Sequence, residues 1–356
     1  MRIAVVGVGL IGGSLALAAR QRLGAEVTGW DPDSGALTAA RAAAVLDRAA
    51  DSLADAVAGA EAVILAAPVS ALPALAAAAL AAAPADCVVS DVGSTKRQLA
   101  RAQADARFVG GHPLAGAETA GVAHAREDLF DGATWYLTPA ANTEGILLER
   151  LHRILSGIGA RPVAIEADAH DAVMAAVSHL PHVLANVLVG EAAAVLRSQG
   201  ERLPATGPSF RDATRVAGAN SAIWSDIYLA NAEALVAQID AVRARLESVR
   251  ATLLAGDRAA VTAWNDAAAT DRRALLETQL AGGELIELRV PVPNRTGVVA
   301  QITLELSRAG VNIADLALYP APDMSEGVVA LWIAGGPAAA KAEAILGGLG
   351  FGVLRP

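Results

Sequence analysis

The chain contains one cysteine, Cys87, among its 356 residues, so an internal disulfide is excluded. A lone thiol is typical of proteins from the reducing cytoplasm, which is the localisation we expect. Cys87 stands in a Cys87-Val88-Val89 run, and this apolar setting predicts a buried strand residue and not a reactive thiol.

Basic runs are also lacking. The formal net charge is −9, and the lysines and arginines form no long cluster. A nucleic-acid surface needs concentrated positive charge, so no nucleic-acid partner is expected. The expected ligand is a small molecule.

Uninterrupted hydrophobic segments are absent as well, although 54% of the residues are hydrophobic. Residues 3–19 are uncharged and superficially resemble a signal peptide, but four glycines interrupt them. Residues 62–85 are also uncharged, but they contain three prolines and are mainly alanine, which is only weakly apolar. We therefore expect no membrane segment, and cores large enough for two or three domains.

A dinucleotide-binding pattern opens the chain. An apolar strand at residues 2–6 leads into Gly7-Val8-Gly9-Leu10-Ile11-Gly12, and a helix follows. This order lets backbone approach a pyrophosphate, and the helix N-terminus offers N–H groups to the anion. The predicted cofactor contacts in this turn are Gly7, Gly9, Leu10, Ile11 and Gly12.

Asp31 ends the second predicted strand, 31 − 12 = 19 residues after the last glycine. An acid at this spacing can accept hydrogen bonds from the adenosine ribose and repels a 2′-phosphate. The two signals together predict NAD, and not NADP, as cofactor. Asp31-Pro32-Asp33 is also typical of a simple turn.

Short apolar strands and helices continue to alternate as far as a last strand at residues 161–165. This pattern predicts an α/β domain of the Rossmann type over residues 1–166, with ligands at the carboxyl ends of parallel strands. Residues 66–69, which include Ala67 and Pro68, and residues 91–96 follow two such strand ends. We expect both segments to line the cofactor cleft, although residues 91–95 could also simply cap the next helix.

A histidine on a glycine-flanked loop, Gly110-Gly111-His112-Pro113, follows another strand-like run. Histidine exchanges protons near neutral pH, so we interpret His112 as the chemical centre. A structural loop histidine is the alternative.

Residues 167–281 have helical periodicity, including helices predicted at 222–254 and 258–280. Apolar residues from Leu235 to Leu253 recur every three or four positions and must be buried, either locally or across a subunit boundary, and we expect an all-α domain that forms a homodimer. His179 and His182 would share a helical face, but no third ligand has matching spacing, so no metal site is predicted. Asp212 and Arg215 also share a face, and a surface ion pair is the commoner outcome of such spacing.

Gly282-Gly283 predicts a linker to a separate unit at residues 284–356. Its strands and helices follow the order βαββαβ, which is a ferredoxin-like pattern.

These motifs together resemble the prephenate dehydrogenase family over essentially the whole chain, with an ACT-type amino-acid-binding domain at the C-terminus. The resemblance rests on the glycine fingerprint with Asp31, residues 91–96, Gly111-His112-Pro113, Glu118, residues 178–182 and residues 212–215. The series in this order is far more specific than any one motif.

The resemblance implies NAD-dependent oxidative decarboxylation of prephenate to 4-hydroxyphenylpyruvate, a step of tyrosine biosynthesis. His112 would take the proton of the ring hydroxyl, and Ser94 would hydrogen-bond to the same hydroxyl. Arg215 would hold a substrate carboxylate, with Asp212 orienting it. The remaining substrate contacts would be His179 and, at the site entrance, Glu118.

The C-terminal resemblance rests on residues 293–297 and 310–313. It implies an amino-acid effector, with tyrosine the first choice, held by Asn294, Gly297 and Asn312. Thr296 stands where many relatives carry proline. A purely structural or dimer-forming module is the alternative.

Two other functions stay open. An arogenate dehydrogenase would perform the same chemistry on a substrate with an amino group in place of the ketone. A non-catalytic NAD-binding sensor would use the C-terminal unit to report amino-acid levels, although His112, Ser94 and Arg215 favour an enzyme.

Overall fold

The computed structural model describes residues 1–116, 119–198, 206–279, 285–293, 295, 298–311, 313–321 and 325–355. The chain divides into two units, Met1–Arg243 and Ala244–Pro356.

An eight-stranded sheet organises the first unit. In chain order the strands are β1 (Arg2–Val6), β2 (Glu26–Trp30), β3 (Arg48–Ala49), β4 (Ala62–Leu65), β5 (Val88–Asp91), β6 (Phe108–Pro113), β7 (Thr134–Thr138) and β8 (Arg161–Ala164). Their spatial order is β3-β2-β1-β4-β5-β6-β7-β8, and only β6 and β7 pair antiparallel. The strand order reverses between β1 and β4, which is where Rossmann sheets bind ligands. The predicted Rossmann-type sheet is confirmed.

Six helices connect the strands of this sheet. They are α1 (Leu10–Leu23), α2 (Ser34–Ala42), α3 (Leu53–Val57), α4 (Leu72–Ala82), α5 (Arg97–Ala102) and α6 (Gly145–Gly157). Every residue of β4 and β5 is buried, as expected for central parallel strands covered on both faces. Cys87 is fully buried, and burial raises the pKa of its thiol to about 12, so the predicted burial is confirmed, although Cys87 directly precedes β5 and does not lie in it.

The helical part contains α7 (Ala167–Met174), a π-helical turn (Ala175–His179), α8 (Leu180–Ser198), α9 (Pro208–Thr214), α10 (Ser221–Ala230) and α11 (Ala232–Leu254). The first three form one continuous 32-residue helix, which by length and composition alone could cross a membrane. That helix carries the fully buried His170 and Asp171 into contact with the sheet domain. The single helix predicted at 222–254 is wrong, because α10 ends before Asn231 and a new helix begins at Ala232.

The second unit contains α12 (Arg258–Gln279), β9 (Leu285–Pro293), α13 (Val298–Arg308), β10 (Ile313–Pro320), β11 (Glu326–Ala334) and α14 (Gly336–Gly348). The strands form an antiparallel sheet in the order β10-β11-β9. The predicted last strand is reduced to one bridge between Leu354 and Arg289. Alternate residues of β9 pack on α13 and α14 and form a small core with them. The predicted effector contacts, Asn294, Gly297 and Asn312, lie outside the described residues.

Candidate active site

The glycine turn after β1 makes a close backbone approach to the end of β4. Gly7 has φ +93°, and a Cβ on it would lie 2.1 Å from the carbonyl oxygen of Ala66. A Cβ on Gly12 would lie 2.0 Å from the carbonyl oxygen of Gly7. A Cβ on Gly9 would meet nothing within 4 Å, so the backbone at the start of α1 is open to a ligand. This cradle fits the pyrophosphate of a dinucleotide.

A cavity of about 400 Å³ lies over this turn, at the carboxyl ends of β4 and β5. Its wall contains the predicted substrate contact Ser94 and most of the predicted cofactor contacts, which are Gly9, Leu10, Ile11, Gly12, Ala67 and Pro68. Gly7 does not line the cavity and instead lets the turn pack against β4. The opposite wall comes from α10 through Ile223, Asp226 and Ile227.

Asp31 follows β2 and accepts two backbone hydrogen bonds. The N–H of Val8 donates to its Oδ2 at 2.7 Å, and the N–H of Asp33 donates to its Oδ1 at 2.9 Å. The carboxylate therefore fixes the glycine turn and also closes the turn that the sequence suggests. Each carboxylate oxygen can accept a further hydrogen bond, so Asp31 can close the turn and still accept a hydrogen bond from the adenosine ribose.

A larger cavity of about 750 Å³ adjoins the first. The two share wall residues from the segment after β6, including Gly116 and Thr119, and from α10. Arg215 lines the larger cavity, whereas Asp212, three residues earlier, is exposed and lines neither of them. Glu118 lies outside the described residues.

His112 lies within β6, opposite Tyr136 of β7, and not on a loop as the glycines suggest. Antiparallel pairing with β7 extends the strand through Pro113. Burial, with lesser contributions from His170, Lys96 and His179, lowers the pKa of His112 well below its usual value. His112 is thus a neutral imidazole at neutral pH. It does not itself line either cavity, but Leu114 and Ala115 do.

The partners of His112 are residues that no sequence motif singles out. Its Nδ1 lies 2.9 Å from Nε2 of His170, and Nδ1 of His170 lies 2.8 Å from Oδ1 of Asp171. Oδ1 and Oδ2 of Asp171 also accept hydrogen bonds from the N–H groups of Lys96 and Arg97 at 2.7 and 2.9 Å. Asp171 therefore caps α5, whereas Asp91, the first residue of the segment considered as an alternative cap, accepts the N–H groups of Gly93 and Gly111.

A buried ion pair fixes the backbone beside His112. Nζ of Lys96 contacts Oδ2 of Asp91, and neither side chain is exposed. Oδ1 of Asp91 accepts the N–H of Gly111 at 3.0 Å, and Oδ2 accepts the N–H of Gly93 at 2.8 Å. Because Gly111 directly precedes His112, the pair holds the strand from which the imidazole projects. Of residues 91–96, the smaller cavity is lined by Val92, Gly93 and Ser94, and among these Ser94 alone has a polar side chain.

The two histidines of the π-helical turn and α8 have different surroundings. His179 is buried, with Nδ1 3.1 Å from Nδ2 of Asn231, and burial lowers its pKa to about 4. His182 lines the larger cavity and stacks on Trp224, with ring centroids 3.5 Å apart. Burial and the neighbouring Arg215 lower the pKa of His182. The wider π-helical turn changes the facing of residues around it, so the sequence spacing does not reveal which histidine meets a ligand.

Comparisons with known proteins match most of the chain to prephenate dehydrogenases. The family model described as prephenate dehydrogenase, nucleotide-binding domain, matches residues 15–164, and that described as prephenate dehydrogenase, dimerization domain, matches residues 166–264. The prephenate dehydrogenase of Bacillus subtilis (strain 168) is 32% identical over 338 residues, which are 92% of this chain and 90% of the relative.

Two solved structures are similar in fold. The prephenate dehydrogenase from A. aeolicus, in complex with hydroxyphenyl propionate and NAD+, has a TM-score of 0.71 and 26% identity, over 77% of this chain and 98% of that one. Synechocystis arogenate dehydrogenase has a TM-score of 0.66 and 26% identity, over 76% of this chain and 99% of that one.

Proposed function

We propose, from the premise that this chain belongs to the prephenate dehydrogenase family, that His112 is the base of an oxidative decarboxylation. The chain is an NAD-dependent oxidoreductase that converts prephenate to 4-hydroxyphenylpyruvate. The observation that carries the proposal is a neutral His112 shortly before residues 115–116, which line two adjoining cavities, one over the glycine turn and the other lined by Arg215.

NAD, when bound, serves as the two-electron acceptor. His112 takes the proton of the ring hydroxyl, while Ser94 on the cavity wall hydrogen-bonds to that hydroxyl. The bond to carbon dioxide then breaks, and its electron pair makes the ring aromatic. The proton held on His112 returns to the ring oxygen, so the reaction releases carbon dioxide and no net proton.

Arg215 supplies a permanently charged, planar group for a substrate carboxylate in the larger cavity. Asp212 lies one turn earlier, on α9, and would orient it. We assign the second substrate contact to His182 in place of His179, because His182 lines the cavity and Asn231 already occupies Nδ1 of His179. Glu118 keeps its proposed role at the site entrance.

Side-by-side steady-state rates with prephenate and arogenate test the activity. We expect NADH formation with prephenate to have the higher kcat/KM. If the enzyme turned over arogenate and not prephenate, it would be an arogenate dehydrogenase. Absence of NADH with both substrates would instead favour the non-catalytic sensor.

Asp31 should make the enzyme prefer NAD to NADP by a large factor. The Asp31→Ser substitution should narrow that preference, because it removes the charge that repels a 2′-phosphate. It should also raise KM for NAD, since the N–H of Val8 loses its acceptor. The ratio of kcat/KM for the two cofactors is the measurement, with Asp33→Ser as the control because Ser can still cap α2. Equal use of both cofactors by the unmodified enzyme would contradict the role of Asp31.

We also propose a cytoplasmic homodimer built on the helical domain, with domain limits at residues 1–166, 167–281 and 284–356. Support comes from the match to a dimerization-domain model and from apolar side chains that one copy leaves exposed. On α8 and α10 these are Val187, Leu188, Val189, Val195 and Leu229. Leu246 and Leu253 of the predicted α11 stripe are exposed as well, whereas Leu235 is buried.

The C-terminal unit is proposed to be an ACT-type domain that senses tyrosine. Its support is the strand order β10-β11-β9, with the Leu354 bridge on the outer side of β9 and two helices packed on the sheet. This is the strand order of a ferredoxin-like βαββαβ unit.

Calorimetry with saturating NAD should detect tyrosine binding at a second site, in addition to any tyrosine that competes with substrate at the active site. Allosteric coupling of about 1 to 3 kcal/mol is the usual range for such an effect. Deleting residues 284–356 should remove the second site and leave an active enzyme. Because Arg272 of α12 lies over the ring of Trp332, that deletion uncovers part of α12, so Asn312→Ala in the intact chain is the companion variant. A single tyrosine site per subunit that neither change affects would exclude this domain as the sensor.

A further inference from the structure

Three side chains form one hydrogen-bonded series behind the proposed base. The series runs from His112 through His170 to Asp171, and the last two are fully buried. His170 and Asp171 lie near the start of the long helix, whereas His112 lies on β6, 58 residues earlier than His170. A catalytic role for this series rests on the proposed function of His112 as the base.

The carboxylate end of the series determines where each proton lies. Burial alone would raise the pKa of Asp171, but hydrogen bonds from His170 and from the N–H groups of Arg97 and Lys96 outweigh it, and the pKa is lowered. An ionised carboxylate only accepts hydrogen bonds, so Nδ1 of His170 must carry a proton and donate it.

A neutral His170 protonated on Nδ1 has an unprotonated Nε2, which can only accept. The atom facing that Nε2 is Nδ1 of His112, so this nitrogen must be the donor. The remaining nitrogen of His112, Nε2, then has a free electron pair. The series thereby selects one of the two neutral tautomers of His112, and that tautomer has its basic nitrogen on the far side of the ring from His170.

We propose that His170 and Asp171 are positioning residues that hold His112 as its Nδ1–H tautomer, so that Nε2 is the base, and stabilise the imidazolium that forms there. The proton moves from the ring hydroxyl to Nε2 of His112. The hydrogen bond from Nδ1–H of His112 to Nε2 of His170 becomes stronger as His112 gains charge. After carbon dioxide departs, the same proton returns from Nε2 to the ring oxygen. Nothing is oxidised or reduced within the series, and no proton leaves the site.

The environment makes such stabilisation necessary. Burial is the largest factor that disfavours positive charge on His112, and positive charge on His170, Lys96 or His179 would disfavour it further. Asp171 is the anionic group linked to His112 through one imidazole. A buried carboxylate that orients a catalytic histidine and stabilises its charged form is a general solution to this problem. His170 also makes a T-shaped contact with Tyr136, with the ring centroids 5.6 Å apart, and this contact gives the purely packing alternative.

The tautomer is directly measurable in the unmodified enzyme. Two-bond ¹H–¹⁵N correlation spectra of ¹⁵N-histidine-labelled enzyme distinguish protonated from unprotonated ring nitrogens. The His112 signals are identified by their loss in His112→Asn. We expect Nδ1 of both His112 and His170 to be protonated and both Nε2 atoms to be unprotonated. A His112 protonated on Nε2 at neutral pH would overturn the proposal without any variant having to fold.

Kinetics of His170→Phe and Asp171→Asn give the second test. We expect kcat to fall by on the order of 100-fold, the lower end of the contribution of a positioned general base, with KM for prephenate and NAD nearly unchanged. In Asp171→Asn the acid limb of kcat/KM should move to lower pH, because the imidazolium of His112 loses its anionic support. Asp168→Asn is the matched control, since Asp168 is an exposed partner of Arg97 on the same helix.

Unchanged kcat and an unchanged acid limb in folded His170 and Asp171 variants would overturn this inference alone. Near-normal turnover by His112→Asn would instead remove the proposed function of His112. The two failures are therefore distinguishable.

Discussion

Replacing His112 with Asn should reduce kcat by about two to four orders of magnitude, the usual contribution of a positioned general base. Asn is similar in size and polarity but cannot accept the hydroxyl proton. The affinity for NAD should hardly change, because the dinucleotide cradle at Gly9 and Gly12 lies on other strand ends. Steady-state kinetics and NAD titration measure the two effects separately.

The pH profile of the unmodified enzyme tests the same residue. The pKa of His112 is lowered well below 6.5, so the imidazole stays unprotonated as the pH falls through that value. We expect kcat/KM to remain level to below pH 6.5 and to fall only as His112 itself becomes protonated. The control is His124→Asn, which changes an exposed histidine between β6 and β7. Near-normal kcat in His112→Asn would exclude this mechanism.

Arg215→Ala should raise KM for prephenate about 10- to 100-fold, with a much smaller change in kcat. A hydrogen bond to a charged group contributes about 1.5 to 3 kcal/mol, and each 1.4 kcal/mol corresponds to a factor of ten. The effect should be in KM because the substrate carboxylate is already charged in the ground state. Arg215→Lys should be intermediate, since it keeps the charge and loses the planar, two-pronged geometry.

Arg211→Ala is the matched control for that experiment. Arg211 is an exposed arginine one turn earlier on α9, so its loss changes the net charge equally and does not alter the cavity wall. An equal rise of KM in Arg211→Ala and Arg215→Ala would indicate a general charge effect. A fall in kcat with unchanged KM in Arg215→Ala would contradict ground-state binding by Arg215.

The nucleotide domain was predictable because its signals are local. The strand, the glycine turn and the start of α1 follow each other within residues 2–23, and each needs only its own backbone conformation. Gly7 illustrates this, since its positive φ and its approach to Ala66 require glycine whatever surrounds the turn.

The partners of His112 were not predictable in this way. His170 and His112 meet only because the long helix packs against the end of β6, and no periodicity reports a contact over 58 residues. Asp171 lies in α7, yet it caps a different helix, α5, which is more than 70 residues earlier in the chain. The π-helical turn is equally invisible in the sequence, because ordinary helical residues can form it, so the sequence does not show that His182 lines the larger cavity.

The most direct test of the activity is the product balance with prephenate. The enzyme is incubated with NAD and a limiting amount of prephenate, and NADH and 4-hydroxyphenylpyruvate are quantified together, with His112→Asn run in parallel. We predict equal amounts of both products from the unmodified enzyme and a rate at least about 100-fold lower from the variant. Formation of 4-hydroxyphenylpyruvate without NADH, or equal rates from the two proteins, would contradict an NAD-dependent oxidation that depends on His112.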